Sequence, residues 1–376
     1  MLVLLLKSLR GRLLRTVLAI AGIAACTLLV IVISSVLRGV STSMAGYIGQ
    51  EGFDVWVTPP GADNLIRGSF VSFIPLAYID SLRAVPGVVA ANPVLEAFLP
   101  VSFPGGNDPG LRLTSITVGY LLPHGLGGPP AFSEGRAPRR RDEVAIDRAA
   151  ARRLAARVGD TIDVSGYPEV IAGITTGTNL LVTQFLFVGY DAMARGSNSG
   201  GLASFVILRT SPGEGRDSVA AAVERKFPHL HAYTRERFLA TNEREVSSGY
   251  VPVLVLIAVL GAGAAMLLVG LLILSVIDER RGDIAVLLAL GTGAPTLSRG
   301  TLAHTAALSA GGACIGIALA YALALALDAW LPAVPMVIRP AEVAAIAALF
   351  TATGMAAAIA PVIRLAAIDP LEAFRS

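Results

Sequence analysis

Four long apolar blocks restrict this chain to folds that a lipid bilayer can host. Leu13 to Leu37 carries one charge, Arg15, close to its start, and Pro252 to Ile277 carries none. Thr301 to Leu327 holds one titratable side chain, His304, near its beginning, and Val343 to Ile363 again carries none. Each block reaches the roughly 20 residues that a helix needs to cross about 30 Å of hydrocarbon. A helix also satisfies its own backbone groups there, which lipid cannot do. The composition agrees: 54% of the 376 residues are hydrophobic and only 15% are charged, against about 25% charged in soluble domains. Four spanning helices are therefore expected.

Basic residues near the span ends set the direction. Lys7, Arg10, Arg12 and Arg15 precede the first block, Arg280, Arg281 and Arg299 lie between the second and third, and Arg364 and Arg375 follow the fourth. The segment between the third and fourth blocks holds only Arg339. Both termini and residues 278–300 are accordingly expected on the cytoplasmic side of the plasma membrane, and the long insert 39–250 outside. The expected order is a basic entry and first span (1–38), an external domain (39–250) and a second span (251–277). A cytoplasmic turn (278–300), a third span (301–328), a short external loop (329–342), a fourth span (343–363) and a cytoplasmic tail (364–376) follow. Ile23-Ala24-Ala25-Cys26 has the form of a lipoprotein cleavage box. The apolar run continues to Leu37, however, well past the roughly 7–15 residues of a signal-peptide core, so the block reads as an uncleaved anchor. Cys26 and Cys314 both fall inside apolar blocks, which gives no support to a disulfide framework.

Between the first two spans the composition changes to that of a mixed α/β domain punctuated by Gly and Pro. Pro75 to Ala84 reads as a short helix with Leu76, Ile79 and Leu82 on one face, ended by Pro86-Gly87. Val88 to Ala90, Thr114 to Val118, Glu143 to Ile146, Thr161 to Val164, Leu180 to Val188 and Phe205 to Leu208 read as strands. Asp147 is placed to cap a helix reaching Arg157, with Ala150, Leu154 and Val158 on one face. Asp217 to Phe227 reads as another amphipathic helix.

Several chemistries lack their residues. The two lysines, Lys7 and Lys226, do not follow a Gly-rich loop, so no phosphate loop is present. The span centres carry no Asp, Glu, Arg or His of the kind that ion-coupled carriers keep in mid-membrane. There is no Gly-x-Ser-x-Gly elbow and no His-Glu-x-x-His. His229 and His231 share a strand face without a completing ligand, and they read as surface. A net charge of +3 without a basic, aromatic-interleaved stripe argues against nucleic acid. The expected reading is a non-enzyme that draws its energy from elsewhere.

Asp278 to Gly291 begins charged, becomes amphipathic through Ile284, Leu287 and Leu288, and stops at glycine. Either it joins two spans as an interfacial helix or it fits the groove of a partner. Glu279-Arg280-Arg281-Gly282-Asp283-Ile284 through Ala289-Leu290-Gly291 resembles the coupling segment of the MacB, lipoprotein-release and FtsX-like (type VII) ABC transporter permeases. Leu9 to Thr16 resembles that family's entry to its first span. Gly135-Arg136-Ala137-Pro138, Glu143 to Ile146, Ala151 to Leu154 and Val158 to Thr161 resemble its external domain. Ala367 to Arg375 resembles its terminal Asp-Pro-x-Glu-Ala-Leu-Arg, with Phe374 in place of Leu. Val55-Trp56-Val57-Thr58-Pro59-Pro60-Gly61 is similar to the DevC-like branch.

The resemblance implies a four-helix membrane protein with a large extracytoplasmic α/β domain between its first and second spans. It also implies a second permease copy, identical or a close paralogue, and two copies of an ABC ATPase subunit that holds ATP and Mg, with no cofactor on this chain. Carried over by position, Glu279, Arg280, Arg281, Asp283, Ile284, Leu287, Leu288 and Leu290 would meet the ATPase. Asp369, Pro370, Glu372 and Arg375 would lie beside it. Gly312 and Gly316 form a GxxxG pair suited to dimer packing, or to packing spans within one subunit. An external adaptor or substrate would engage the outer domain. The implied function is mechanotransmission that exports or extracts an amphipathic substrate: a lipid, lipopeptide, lipoprotein or drug-like compound. The alternatives are a mechanotransmitter switching an external cell-wall hydrolase, for which an insert of about 200 residues is large, and a receptor without an ATPase.

Overall fold

The computed structural model describes residues 2–65, 72–108, 110–181, 183–279, 286, 290, 292–330 and 334–366. The chain divides into two compact units: Val36–Gly249 with Leu327–Pro335, and Met1–Ser35 with Tyr250–Ala326 and Met336–Ser376. From the N-terminus, α1 (Leu2–Ile48) is followed by β1 (Val55–Thr58), β2 (Ile74–Pro75), α2 (Tyr78–Arg83), β3 (Val88–Ser102), β4 (Arg112–Tyr120) and β5 (Phe132–Gly135). Next come β6 (Glu143–Asp147), α3 (Arg148–Leu154), β7 (Thr161–Val164), β8 (Tyr167–Thr175), β9 (Phe185–Gly189) and α4 (Tyr190–Ser197). The order continues with β10 (Leu202–Ala203), β11 (Phe205–Thr210), α5 (Arg216–Lys226), β12 (His231–Thr234) and α6 (Arg235–Glu279). Helices α7 (Ala294–Trp330), α8 (Pro340–Ala357) and α9 (Ile359–Ala366) are the last elements among the described residues.

The first unit, the α/β domain, contains two nested sheets. Strands β12, β1, β11 and β3 lie side by side in that order, every pairing antiparallel. In chain order this is β1-α2-β3-β11-α5-β12, the split βαβ of a ferredoxin-like layer. Alternation along the strands explains why both faces are covered. Val55, Val57, Val206 and Leu208 pack with Ile79 and Leu82 of α2 and Val219 and Val223 of α5. Trp56, Phe205 and Ile207 point into the opposite core.

A second sheet is inserted between β3 and β11. It runs β3-β4-β9-β6-β8, and β7 pairs with both β8 and β3, so six strands close a circuit. Its core holds Leu95, Leu99, Val144, Ile146, Ile162, Ile171, Leu186 and Val188. Strand β3 belongs to both sheets: Val88–Val94 pairs with β11, and Leu95–Ser102 pairs with β4.

The local expectations hold in type and shift in extent. Asp147 caps α3, its carboxylate accepting from the Ala149 N–H at 2.7 Å. The helix ends at Leu154, because Ala155 turns left-handed (φ +54°), a common helix stop; Val158 is consequently exposed and leaves the expected face. The helix expected from Pro75 starts at Tyr78, and Ile74–Pro75 pairs with β10 instead. The strand expected over Leu180 to Val188 forms only from Phe185, after Leu181 at φ +74°.

Among the described residues, four helices are long and apolar enough to cross a membrane, over Thr16–Ile48, Val255–Ser275, Pro295–Trp330 and Pro340–Ile363. Ile23 and Val30 of α1 pack with Ala265, Val269 and Ile273 of α6 and with Phe350 and Ala357 of α8. Ile31 packs with Ala320 of α7 and Val343 of α8. The fourth span consists of two helices meeting at Ala358. Pro361 has no N–H to give the Ala357 carbonyl, and its ring crowds that carbonyl, which interrupts the helix there.

Candidate functional site

The last turns of α1 and the first turns of α6 are held in one aromatic cluster of the α/β domain. Val40, Met44, Tyr47 and Ile48 are all buried in its core. Trp56 stacks on Phe238 of α6, with centroids 4.7 Å apart and planes 16° apart. Its edges meet Tyr47 at 6.0 Å, Phe53 at 5.9 Å and Phe205 at 5.8 Å. Tyr47 in turn lies 5.1 Å from Phe185 and 5.8 Å from Phe187 on β9. Offset and edge-on aromatic pairs of this kind add about 0.5–1.5 kcal/mol each beyond their area burial.

Polar bonds fix both helix ends to the same core. The Tyr47 hydroxyl donates to the Gly127 carbonyl at 3.1 Å, and Gln50 Nε2 donates to the Gly128 carbonyl at 2.9 Å. Gly127 sits at φ +104°, and a Cβ there would come within 2.5 Å of Val94, so both conformation and space call for glycine. On α6, Asn242 donates to the Phe238 carbonyl at 2.8 Å and accepts from the Leu65 N–H at 3.0 Å. Between the two helices, Asp54 accepts from Arg216 Nε at 3.0 Å and from the Thr210 N–H at 2.9 Å. Arg216 also reaches Glu236, in the first turn of α6, at 2.8 Å. Two helices that contain candidate spans are thus clamped into one domain core by aromatic packing, neutral hydrogen bonds and an ion triad.

The residues singled out from sequence fall in three places. Glu279 is the last residue of α6. The Leu290 N–H donates to the Val286 carbonyl at 2.9 Å, one helical turn, and Leu290 is 78% exposed. Arg280, Arg281, Asp283, Ile284, Leu287 and Leu288, together with Asp369, Pro370, Glu372 and Arg375, lie outside the described residues. Gly312 and Gly316 are on α7, where the packing alternative within one subunit is the one the contacts describe. A Cβ on Gly312 would come 2.9 Å from Ile23 Cβ, and one on Gly316 would come 2.6 Å from the Ala24 carbonyl oxygen. The pair is used to bring α7 against α1 of the same chain, and that face is filled.

His229 lies against Tyr78, 5.4 Å between ring centroids. Among the described residues no group of three His, Cys, Asp or Glu is placed to hold a metal. Sequence reading missed the junction side chains Tyr47, Trp56 and Phe238. A usable signal was present: Trp56 interrupts a valine run on β1, and Phe238 and Asn242 are four residues apart, the spacing of one helical face.

Comparison with known proteins extends across the chain. The MacB-like periplasmic core domain matches residues 16–226, and the FtsX-like permease C-terminal domain matches residues 255–370. The chain is 27% identical over 379 residues to the uncharacterized ABC transporter permease Rv0072 of Mycobacterium tuberculosis (strain ATCC 25618 / H37Rv), covering 98% of each. It is 26% identical over 374 residues to the uncharacterized ABC transporter permease Mb2592 of Mycobacterium bovis (strain ATCC BAA-935 / AF2122/97), again covering 98% of each. Among solved structures, the periplasmic region of MacB from Actinobacillus actinomycetemcomitans aligns at 12% identity with a TM-score of 0.38, covering 50% of this chain and 92% of that one. The extracellular domain of the transporter YknZ from Gram-positive bacteria aligns at 13% identity with a TM-score of 0.34, covering 48% and 98%.

Proposed function

The chain belongs to the MacB/FtsX-like family of ABC transporter permeases, and from that premise we propose that it works as a mechanical transmitter. ATP binding and hydrolysis take place in a separate ATPase subunit, present in two copies, which holds ATP and Mg. The permease pairs with a second copy or a close paralogue. Both termini and the segment after α6 face the cytoplasm, where Glu279 to Leu290 and Asp369 to Arg375 meet the ATPase. Motion there is carried along α1 and α6 to the outer domain, which engages an amphipathic substrate, directly or through an external adaptor.

One observation carries this reading: α1 and α6 each contain a candidate span and continue without a break into residues that anchor the aromatic core of the α/β domain. A flexible tether would need none of those contacts. The span centres, which carry no Asp, Glu, Lys, Arg or His, also suit force transmission better than a polar conduit for solute. The test is the double substitution Arg280→Glu and Arg281→Glu in the full chain, co-expressed with its partner ATPase. The variant is expected to reach the membrane at wild-type level and to lose the ATPase on purification. Retention of the ATPase at wild-type stoichiometry defeats the coupling assignment.

A further inference from the structure

The external domain carries a concentrated positive charge that the transmission reading does not use. Between Arg136 and Asp160 there are eight arginines and four carboxylates, an excess of four in a protein whose net charge is +3. The four carboxylates are committed locally. Glu143 is bonded to Arg136, Asp142 pairs with Arg140, Asp147 caps α3, and Asp160 accepts from the Arg157 N–H. On α3 the spacing of Arg148 and Arg152 places them on one helical face, and both reach the same residue. Arg148 Nη2 lies 3.2 Å from the Asp328 carboxylate, and Arg152 Nη1 donates to the Asp328 carbonyl at 3.0 Å.

Asp328 gives this cluster its meaning. It lies two residues before the end of α7, inside the apolar stretch Pro295–Trp330. Trp330, which closes that stretch, is 85% exposed. An exposed tryptophan at the end of a span marks the headgroup level of a bilayer. The two arginines bonded to Asp328 are therefore held at that level. Arg153, adjacent to Arg152, is exposed and has no side-chain partner among the described residues. Against the single charge of Asp328, Arg148, Arg152 and Arg153 leave a surplus of positive charge. Arg148 and Arg152 keep guanidinium N–H groups beyond those given to Asp328, and a guanidinium fork matches phosphate oxygens in geometry and charge.

We propose that Arg148, Arg152 and Arg153, together with Trp330, form a binding site for the headgroup of an anionic phospholipid in the outer leaflet. The phosphate sits on the α3 arginines and the indole lies along the glycerol and upper acyl region. The site goes beyond the transport reading: it rests on the placement of α7 in the membrane and holds whatever the substrate is.

The protein contains two tryptophans, which supplies the probe. Trp56 is fully buried in the α/β core, so lipid-borne quenchers reach Trp330 alone. The full chain is reconstituted in nanodiscs of phosphatidylcholine doped with equal fractions of brominated phosphatidylglycerol or brominated phosphatidylcholine. Wild-type Trp330 is expected to be quenched several-fold more strongly by the brominated phosphatidylglycerol. Arg153→Gln leaves both Asp328 contacts in place and should lose part of the preference, and Arg152→Gln with Arg153→Gln should abolish it. Arg139→Gln with Arg140→Gln, the same charge loss away from α3, should keep it. Unquenched Trp56 emission reports that each variant is folded. Equal quenching by the two lipids in the wild type overturns the site. So does a preference that all variants keep, or one that the control pair loses equally.

Discussion

On neighbouring strands of the α/β domain, two glutamates are driven in opposite directions by their surroundings. Glu143 on β6 accepts two bonds from Arg136, at 2.8 and 2.7 Å, and one from the Arg139 N–H at 2.8 Å. The Arg136 bond dominates over the cost of burial and holds the carboxyl down at about 2. Glu169 on β8, 3% exposed, has one carboxylate oxygen without a hydrogen-bond partner among the described residues. Burial pushes its carboxyl up to about 7, with Arg195 opposing and Asp142 adding to the shift. The consequences for stability have opposite signs. Glu143 contributes stability that is present above the ordinary glutamate range and lost as pH falls toward 2. Glu169 binds its proton more tightly in the folded protein, so it costs stability increasingly as pH rises from about 4.5 to 7. Glu169→Gln should therefore stabilise the protein at pH 8 by about 1–3 kcal/mol, the gap closing below about pH 4.5. Glu143→Gln should destabilise it at pH 7, with the difference fading toward pH 2. Thermal unfolding followed by Trp56 emission across pH 4–8 measures the first effect. A Glu169→Gln melting temperature that tracks the wild type at every pH removes the claim of a buried, unpaired carboxyl. Neither shift was legible in sequence, since both depend on what β6 and β8 bring beside the carboxylates.

For single elements, the sequence told most where one partner decides the conformation. The spans follow from hydrophobicity against lipid alone, and α3 follows from a cap and a stripe. Strand β3 shows where that ends. It runs 15 residues, yet only Val88 to Ala90 reads as a strand, because Pro93 and Pro100 interrupt the pattern and prolines ordinarily mark strand edges. The strand changes partner at Val94/Leu95 and is covered on both faces over much of its length, so no period of two emerges. The GxxxG pair on α7 behaves similarly. Spacing announces a close helix approach, but not whether the other helix is in the same chain. With α1 as the neighbour, Gly316→Leu would drive a side chain into the Ala24 carbonyl and Thr27, at a cost of about 1–3 kcal/mol. Gly311, one residue from Gly312, has nothing within 4 Å of a built Cβ, so Gly311→Ala should be neutral or stabilising by up to about 1 kcal/mol. Fluorescence-detected size exclusion of the two variants, with thermal challenge, distinguishes them. Equal melting temperatures would mean that the α1–α7 contact does not hold the bundle.

At the scale of the chain, α1 and α6 each contain a candidate span and also residues buried in the core of the α/β domain. Phe238 is fully buried against Trp56 and Phe205, so Phe238→Ala should cost about 3–5 kcal/mol through the cavity it leaves, read as loss of Trp56 emission on mild heating. That outcome tests packing, and force transmission needs a different perturbation. In α6 the ladder is already weak near the unit boundary at Gly249, because Pro252 offers no N–H to the Ser248 carbonyl. Two glycines inserted after Gly249 add about 1 kcal/mol each of helix penalty and turn the junction into a flexible tether, leaving the aromatic core and the spans intact. If α6 transmits motion, the insertion variant should bind the ATPase normally and keep Trp56 buried. It should also lose any change in protease protection of the outer domain that ATP induces in the wild-type complex. Reporters fused after Ser376 and within the loop at Gly200 are read in the same strains, the first expected to be cytoplasmic and the second external. An insertion variant whose outer domain still responds to ATP like the wild type would show that the signal does not travel along this helix.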